Sequence, residues 1–554
     1  MIARGRPGWQ AAPGQRGRHT GMRSAFRSTG ACNKRETGPV SHGIDRELFA
    51  CLTDAATYGA DGARVEVVET HAACVFLCGQ RALKVKKNVT YPYLDFSSSE
   101  RRAHALRREY ELNRGNAPEL YLGLVSVVRR QDGRLALGGE GEIVETALEM
   151  RRFDQDLLLD RLARHGKLEA GLMNVLALTI MRAHQRAPVS RRADQHSALA
   201  RVADGNVASL AAHSELFAAR DTAGLAGRWR AELARCAKIL RERTRSGHVR
   251  RCHGDLHLGN IVLWRGQPTL FDALEFDEEL ATIDVFYDLS FVLMDLAHRG
   301  LVRHASVLLN SYLARLEPAA LAGLAALPLM ASLRAAIRAK VEADRAAGLD
   351  VADQKSGAEA AARSYLDLAL RALAPSPLRL IAVGGLSGSG KSTLARRLAA
   401  AAGGVTGAVL LRSDVERKAM AGAAESDRLG EESYAAQATR VVYDRLRRKA
   451  GVALGARTSV IVDAVHARPA ERQALARIAR KASARFDGLW LEAAPDVLIS
   501  RVAARTGDAS DADGAVVERQ LAHDPGQIGW TRIDAGGGPD ETWRRACDAL
   551  GLDA

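Results

Sequence analysis

Three regimes of hydrophobic patterning follow one another along the chain. The first 40 residues show no apolar periodicity and are rich in Arg, Gly, Ser and Pro, which predicts a disordered segment. Short apolar runs then appear. Val65-Glu66-Val67-Val68 and Ala73-Cys74-Val75-Phe76-Leu77 predict strands, Arg81–Lys86 follows as a third, and Ser99 to Asn113 carries a helical pattern. Val144–Met150 predicts a further strand. A polar, Ala-rich helical segment from Val341 to Leu373 runs into Ala374-Pro375-Ser376-Pro377, where two prolines cannot continue a helix. Beyond this junction, Leu378–Val383, Ala408–Leu411, Ser459–Val462 and Leu489–Leu491 are short apolar runs between helical stretches, the pattern of an α/β domain with a buried parallel sheet. The expected organisation is a disordered basic segment at 1–43, a first domain at 44–340, a helical linker at 341–377 and a second domain at 378–554. There is no internal repeat.

Composition narrows the classes. The net charge of +14 suggests a nucleic-acid binder until it is divided: residues 1–40 hold eight basic side chains against Glu36 alone, half of the total. The remaining 514 residues carry ordinary charge, and aromatics are only 5%, so no nucleic-acid partner is expected. The basic segment admits a transit peptide or a tethering arm, and lacks the apolar core of a secretory signal. The apolar stretch Ala319–Leu333 contains Pro328 and is too short for a span, so no membrane association is expected. Seven scattered cysteines, with Cys74 and Cys78 lacking a second pair, predict buried thiols in a reducing cytoplasm rather than a zinc site.

The strand at 378–383 leads into Gly385-Leu386-Ser387-Gly388-Ser389-Gly390-Lys391-Ser392, then a helical pattern from Thr393. This strand, G-x-x-x-x-G-K-S, helix order lets backbone N–H groups turn around a polyphosphate, and the helix dipole favours its charge. Lys391 reaches the β- and γ-phosphates, and the Ser392 hydroxyl ligates Mg²⁺. Asp463 closes an apolar strand, where a carboxylate acts on the same metal. Asp414 closes another. A helix from Val497 to Arg505 feeds the polar stretch 507–513. The arrangement looks like the lid of small-molecule P-loop kinases, with Arg501 and Arg505 clamping phosphates in the transition state. With Asp414-Val415-Glu416-Arg417 the domain resembles P-loop kinases of the zeta-toxin, gluconate-kinase and chloramphenicol-phosphotransferase type. That resemblance implies that Asp414, with Arg417, contacts or deprotonates an acceptor hydroxyl.

Upstream, His253-Gly254-Asp255-Leu256-His257-Leu258-Gly259-Asn260 is followed twelve residues later by Asp272, the H-x-D-x-x-x-x-N…D layout of protein-kinase-like phosphotransferases. Asp255 accepts a proton from the acceptor hydroxyl; Asn260 and Asp272, across a hairpin, share Mg²⁺. Turn residues or a His-based metal loop are the alternatives. Lys84 is the expected phosphate lysine, with Lys86 on the same face as alternate, and Glu109 its partner ahead of Glu100 and Glu111. Glu69-Thr70-His71-Ala72-Ala73 stands where a Gly-rich loop is expected. The acidic run Glu275, Asp277, Glu278, Glu279 suggests either a cationic acceptor or a solvated turn.

Together with Tyr93-Leu94-Asp95-Phe96 and Met150-Arg151-Arg152-Phe153, these motifs make residues 45–554 resemble bacterial two-domain proteins called aminoglycoside phosphotransferase/ATP-binding or AAA-type ATPase proteins. The resemblance implies an α+β protein-kinase-like (aminoglycoside phosphotransferase-like) domain followed by an α/β P-loop NTPase domain. The expected activity is bifunctional and depends on ATP and Mg²⁺: the first domain transfers phosphate to a small-molecule hydroxyl and the P-loop domain binds ATP and Mg²⁺ as a second kinase or ATPase, at two sites that do not need each other. The alternative is a regulatory nucleotide-binding protein with one catalytic domain.

Overall fold

The computed structural model describes residues 43–60, 62–70, 72–91, 94–423, 425, 427–504 and 509–552. The expected disorder before residue 43 falls almost wholly outside them, as does Arg505.

Helix α1 (Arg46–Thr53) is capped by Asp45, whose carboxylate accepts from the Glu47 and Leu48 amides. Strands β1 (Glu66–Glu69), β2 (Ala73–Cys78) and β3 (Arg81–Lys86) follow, then the short pair β4 (Thr90–Tyr91) and β5 (Leu94–Asp95). Ser98 caps α2 (Ser99–Asn113), and β6 (Tyr121–Arg129), β7 (Leu135–Leu137) and β8 (Glu142–Arg151) complete an antiparallel sheet of order β1-β2-β3-β8-β6-β7. Alternation along β3 buries Leu83 and Val85 in the core formed with α1 and sends Lys84 and Lys86 to the opposite face, where Glu109 of α2 meets them.

A helical lobe comes next: α3 (Leu159–Arg164), α4 (Leu172–Arg186), α5 (Gln195–Ala211) and α6 (Ala219–Arg245). Strand β9 (Val249–Arg251) enters the catalytic loop, which leaves through the hairpin β10 (Ile261–Trp264) and β11 (Gln267–Leu270). After α7 (Glu278–Ala281), β12 (Thr282–Asp284) pairs back onto β9. The lobe closes with α8 (Val285–His298), α9 (Val302–Ala314), α10 (Leu327–Ala347) and α11 (Ala352–Ala372). One stretch among the described residues, Pro318–Ala347, is long and apolar enough to cross a membrane, but most of it is buried against the rest of the fold.

Residues 341–377, expected as a linker, supply the end of α10 and all of α11. Buried Ala358, Ala362, Tyr365, Leu366 and Ala369 place α11 against the lobe, and the Ala369 carbonyl accepts from Ser332 of α10 at 2.8 Å. The segment is packed lobe rather than tether, because small alanines let two helices approach closely.

Beyond it lie β13 (Arg379–Gly385), α12 (Lys391–Ala401), β14 (Val409–Arg412), α13 (Ser413–Met420), α14 (Ala436–Gly455), β15 (Val460–Asp463), α15 (Pro469–Lys481), β16 (Arg485–Glu492), α16 (Pro495–Ala503), α17 (Gly514–Leu521), β17 (Thr531–Asp534) and α18 (Pro539–Leu550). The sheet is parallel throughout, in the order β14-β15-β13-β16-β17. It does not stand alone. One continuous buried cluster runs from Leu309, Leu313 and Leu324 of the helical lobe into Val409, Leu411, Leu446 and Val462 of the second domain.

Candidate functional site

Two sites emerge, one in each domain. In the first, Lys84 Nζ lies 2.6 Å from Glu109 and 2.9 Å from Asp272, joining the strand lobe to the helical lobe. Lys86 is not a bystander: it reaches the other Glu109 oxygen at 2.7 Å and Glu275 at 2.7 Å, with Phe96 beneath its ammonium. Burial opposes the charge on both lysines, but Asp272 and Glu109 at Lys84, and Glu109 and Glu275 at Lys86, more than offset it and raise both pKa values. Glu109 is completely buried and held ionised by the two ammoniums. Glu109→Ala should therefore destabilise the fold by about 3–5 kcal/mol, because two buried cations lose their shared anion. Chemical denaturation checks this, and a loss under about 1 kcal/mol would refute it. Glu100 and Glu111 do not enter this cluster: Glu100 lies in the first turn of α2, and Glu111 meets Arg108 at 3.4 Å.

The catalytic loop is held from behind. Asp288 accepts from the His253 and Gly254 amides at 3.3 and 2.9 Å and from His184 at 3.0 Å. His253 accepts from the Asp255 amide and donates to the Phe271 carbonyl at 2.9 Å, which ties the loop to the chain carrying Asp272. Asp272 has φ +59, a left-handed conformation that a non-glycine residue adopts at a cost and that here turns its carboxylate toward Lys84. Asn260 donates to the Asp255 carbonyl at 2.9 Å and to Asp255 Oδ2 at 3.0 Å. His257 Nδ1 accepts from the Gly259 amide, so the ring proton sits on Nε2, 3.5 Å from the same Oδ2. Burial alone would raise the Asp255 carboxyl; His257, then His253 and Arg334, hold it well below the carboxylate range. Arg334 comes from α10, is buried, donates to the Gly254 carbonyl at 3.1 Å and lies over Tyr287 and Phe291. Neither His257 nor Arg334 was singled out by sequence. His257 had a local signal inside the motif; Arg334 had none. In the catalytic loop both ring nitrogens of His253 and the Nδ1 of His257 serve the backbone. Glu275 pairs with Lys86, Glu278 with Arg108 and Arg251, and Glu279 with Arg201, while Asp277 caps α7; Glu278 and Glu279 remain largely exposed. Asn260 and Asp272 flank the β10–β11 hairpin, joined by the Phe271 amide on the Asn260 carbonyl at 3.1 Å. Their hard oxygen donors suit Mg²⁺.

In the second domain, Gly385, Leu386, Ser387, Gly388, Ser389, Gly390, Lys391, Ser392 and Thr393 join β13 to α12, and all but Gly385 line a cavity of about 1370 Å³. Gly385, Gly388 and Gly390 have positive φ. At Gly388 a Cβ would meet the Leu498 carbonyl at 2.4 Å, so only glycine lets the loop pass under α16. Ser392 Oγ donates to Asp463 Oδ2 at 2.6 Å, an oxygen pair that fits Mg²⁺ beside a phosphate. Arg412 also reaches that Oδ2, at 3.2 Å. Asp414 lines the cavity; burial, then Asp463, push its carboxyl up, against Arg412 and Lys391. Arg417 donates to the Ser433 carbonyl and lies over the Tyr434 ring.

Two lid features differ from expectation. Arg501 lines the same cavity, but its guanidinium donates to the carbonyls of Ala535, Gly536 and Gly537 at 2.7, 3.2 and 2.7 Å, because the end of α16 faces that loop. Sequence also missed Asp511, which accepts from Lys418 at 3.1 Å, the Leu429 amide at 3.1 Å and Tyr434 at 2.6 Å, and Gln520, which accepts from the Ser387 amide at 2.8 Å. Gln520 places α17 on the phosphate loop, and Asp511 ties the segment before α17 to α13 and to the stretch around Tyr434.

The first domain is thus a two-lobed, protein-kinase-like phosphotransferase fold, and the second an α/β P-loop domain with a parallel sheet. Residues 380–524 match the family described as AAA domain. The uncharacterized proteins Rv2004c of Mycobacterium tuberculosis (strain ATCC 25618 / H37Rv) and Mb2027c of Mycobacterium bovis (strain ATCC BAA-935 / AF2122/97) are each 32% identical over 485 residues, covering 85% of this chain and 93% of theirs. The chain belongs to the family of these mycobacterial proteins. Among solved structures, a choline/ethanolamine kinase family protein from Mesorhizobium loti is 14% identical over 59% of this chain and 98% of its own, with a TM-score of 0.36. A gluconokinase from Sinorhizobium meliloti 1021 is 22% identical over 32% of this chain and 94% of its own, with a TM-score of 0.23.

Proposed function

We propose that the chain is a bifunctional ATP-dependent phosphotransferase: the first domain transfers the γ-phosphate to a small-molecule hydroxyl, and the P-loop domain binds ATP and Mg²⁺ as a second kinase or ATPase. The observation that carries the reading is the convergence of Lys84, Glu109, Asp255, Asn260 and Asp272 between two lobes. Asp255 takes the hydroxyl proton as that oxygen bonds to phosphorus and the bond to ADP breaks. The Asn260 and His257 contacts of Asp255 both fall on Oδ2, which directs Oδ1 to the acceptor. Lys84 holds phosphate oxygens, and Mg²⁺ on Asn260 and Asp272 supplies charge neutralisation. In the second site Lys391, Ser392 and Asp463 bind the nucleotide and metal, and Asp414 and Arg417 face the acceptor. Arg505, outside the described residues, keeps its proposed role in the lid. Six described cysteines are all free thiols, which supports a reducing, cytoplasmic setting. A second reading, one domain regulating the other, draws support from the core they share.

The test is ATP consumption by the full chain across a panel of hydroxylated metabolites, repeated with Asp255→Asn and with Lys391→Ala. Acceptor-dependent turnover should divide between the two variants. Turnover that survives in the double variant would remove both assignments.

A further inference from the structure

We propose that the two nucleotide sites are energetically coupled, and that α9 is the coupling element. This deepens the reading above and rests on it, since both sites must bind nucleotide.

Helix α9 belongs to the helical lobe, yet two residues within one turn serve opposite sites. Tyr312 OH hydrogen-bonds His184 Nδ1 at 2.8 Å; His184 Nε2 meets Asp288 at 3.0 Å; and Asp288 holds the His253 and Gly254 amides beside Asp255. All of these side chains except the catalytic one are buried. Two residues earlier, Asn310 behaves like an extra strand. Its Oδ1 accepts from the Leu410 amide at 2.7 Å and its Nδ2 donates to the Ala408 carbonyl at 3.1 Å, which caps β14 along the edge that, among the described residues, no neighbouring strand covers. Strand β14 ends in Arg412 on Asp463, and its next residues, Ser413 and Asp414, line the P-loop cavity.

The same helix is fixed at its C-terminus. Lys449 of α14, fully buried, donates to the Ala314 carbonyl at 3.0 Å and to Glu416 of α13 at 2.8 Å. Glu416 also accepts from Arg445, which reaches Glu317 of the helical lobe at 2.9 Å. A buried ion pair stripped of one partner is strongly destabilised, so this joint resists slippage. Movement of β14 or α13 must then be taken up by α9 rather than dissipated at the interface. The trigger lies at Asp463, whose Oδ2 serves Ser392 and Arg412 together. A metal–nucleotide that claims Ser392 and Asp463 changes the hold on Arg412, at the end of the strand that Asn310 caps.

The experiment titrates MgADP into the full chain and compares it with Lys391→Ala, which silences the second site, and Asp272→Ala, which silences the first. We expect occupancy at either site to change affinity at the other by at least about fivefold, and by the same factor in both directions. Asn310→Ala and Tyr312→Phe, each in the otherwise native chain, should return the factor to one while leaving each site's own affinity in place. Tyr312→Phe removes a single hydroxyl and serves if Asn310→Ala fails to fold. A factor of one in the native chain overturns the proposal, as does coupling that survives both variants. If the first site binds no MgADP at all, the functional reading falls and this proposal with it.

Discussion

Lys391→Ala should reduce nucleotide affinity at the second site by at least about tenfold, the cost of about 1.4 kcal/mol for one lost charge-assisted contact. The lysine begins α12 and its ammonium rests on the Leu386 carbonyl at 2.7 Å, inside the loop it would serve. Alanine is an excellent helix former, so α12 should persist and the loss should be confined to binding. Ser392 and Asp463 remain to hold the metal, which sets the residual affinity. Calorimetric titration of MgADP should show two binding steps for the native chain, one of them at least about tenfold weaker in the variant. Two unchanged steps would dismiss the phosphate-loop assignment, whatever the motif suggests.

Asp255→Asn should lower turnover at the first site by about 10²–10⁴, the range for loss of general-base assistance. The surroundings decide how the new amide turns. Asn260 Nδ2 donates to Oδ2 at 3.0 Å and His257 Nε2 lies 3.5 Å from it, so the oxygen of the introduced amide should face them. Its NH₂ then points at the acceptor oxygen, presenting a donor where a base is needed. Nucleotide binding should survive, because Lys84, Asn260 and Asp272 are untouched. The measurement is ATP turnover in a Lys391→Ala background, where the second site is silent. Equal turnover with and without Asp255 would exclude it as the base.

The sequence carried local chemistry well and distant packing poorly. The phosphate loop was legible because its glycines, lysine and serine act within eight residues, between an apolar strand and a helix. Asp255, Asn260 and Asp272 were legible through fixed spacing and Lys84 as a lysine on a strand, and alternation along β3 put Lys86 on the same face as Lys84. What that alternation does not say is that Glu109 offers one oxygen to each lysine. Arg334 lies 80 residues beyond Gly254 in the chain and reaches it only because α10 packs behind the catalytic loop. The contacts of Arg501 with the 535–537 carbonyls were not legible, since a helix pattern does not tell which loop the helix end faces. The segment 341–377 read as a polar connector because alanine contributes little to a hydropathy pattern. The signal was nonetheless present: Ala358, Ala362, Tyr365 and Ala369 fall at helical spacing on one face. Asn310 had no signal, because an asparagine side chain that pairs with a strand looks in sequence like any other.

That asparagine governs how the protein can be divided. A fragment starting at Pro377 would keep every residue of the phosphate loop but lose α9, and with it the partner of the Leu410 amide and Ala408 carbonyl. Val409 and Leu411, buried beside the helical lobe in the whole chain, would face water along the same bare strand. An unpaired, apolar strand edge recruits other strands. The isolated half would therefore stick to copies of itself along β14, so truncation would yield aggregates or edge-to-edge dimers rather than a portable nucleotide-binding module.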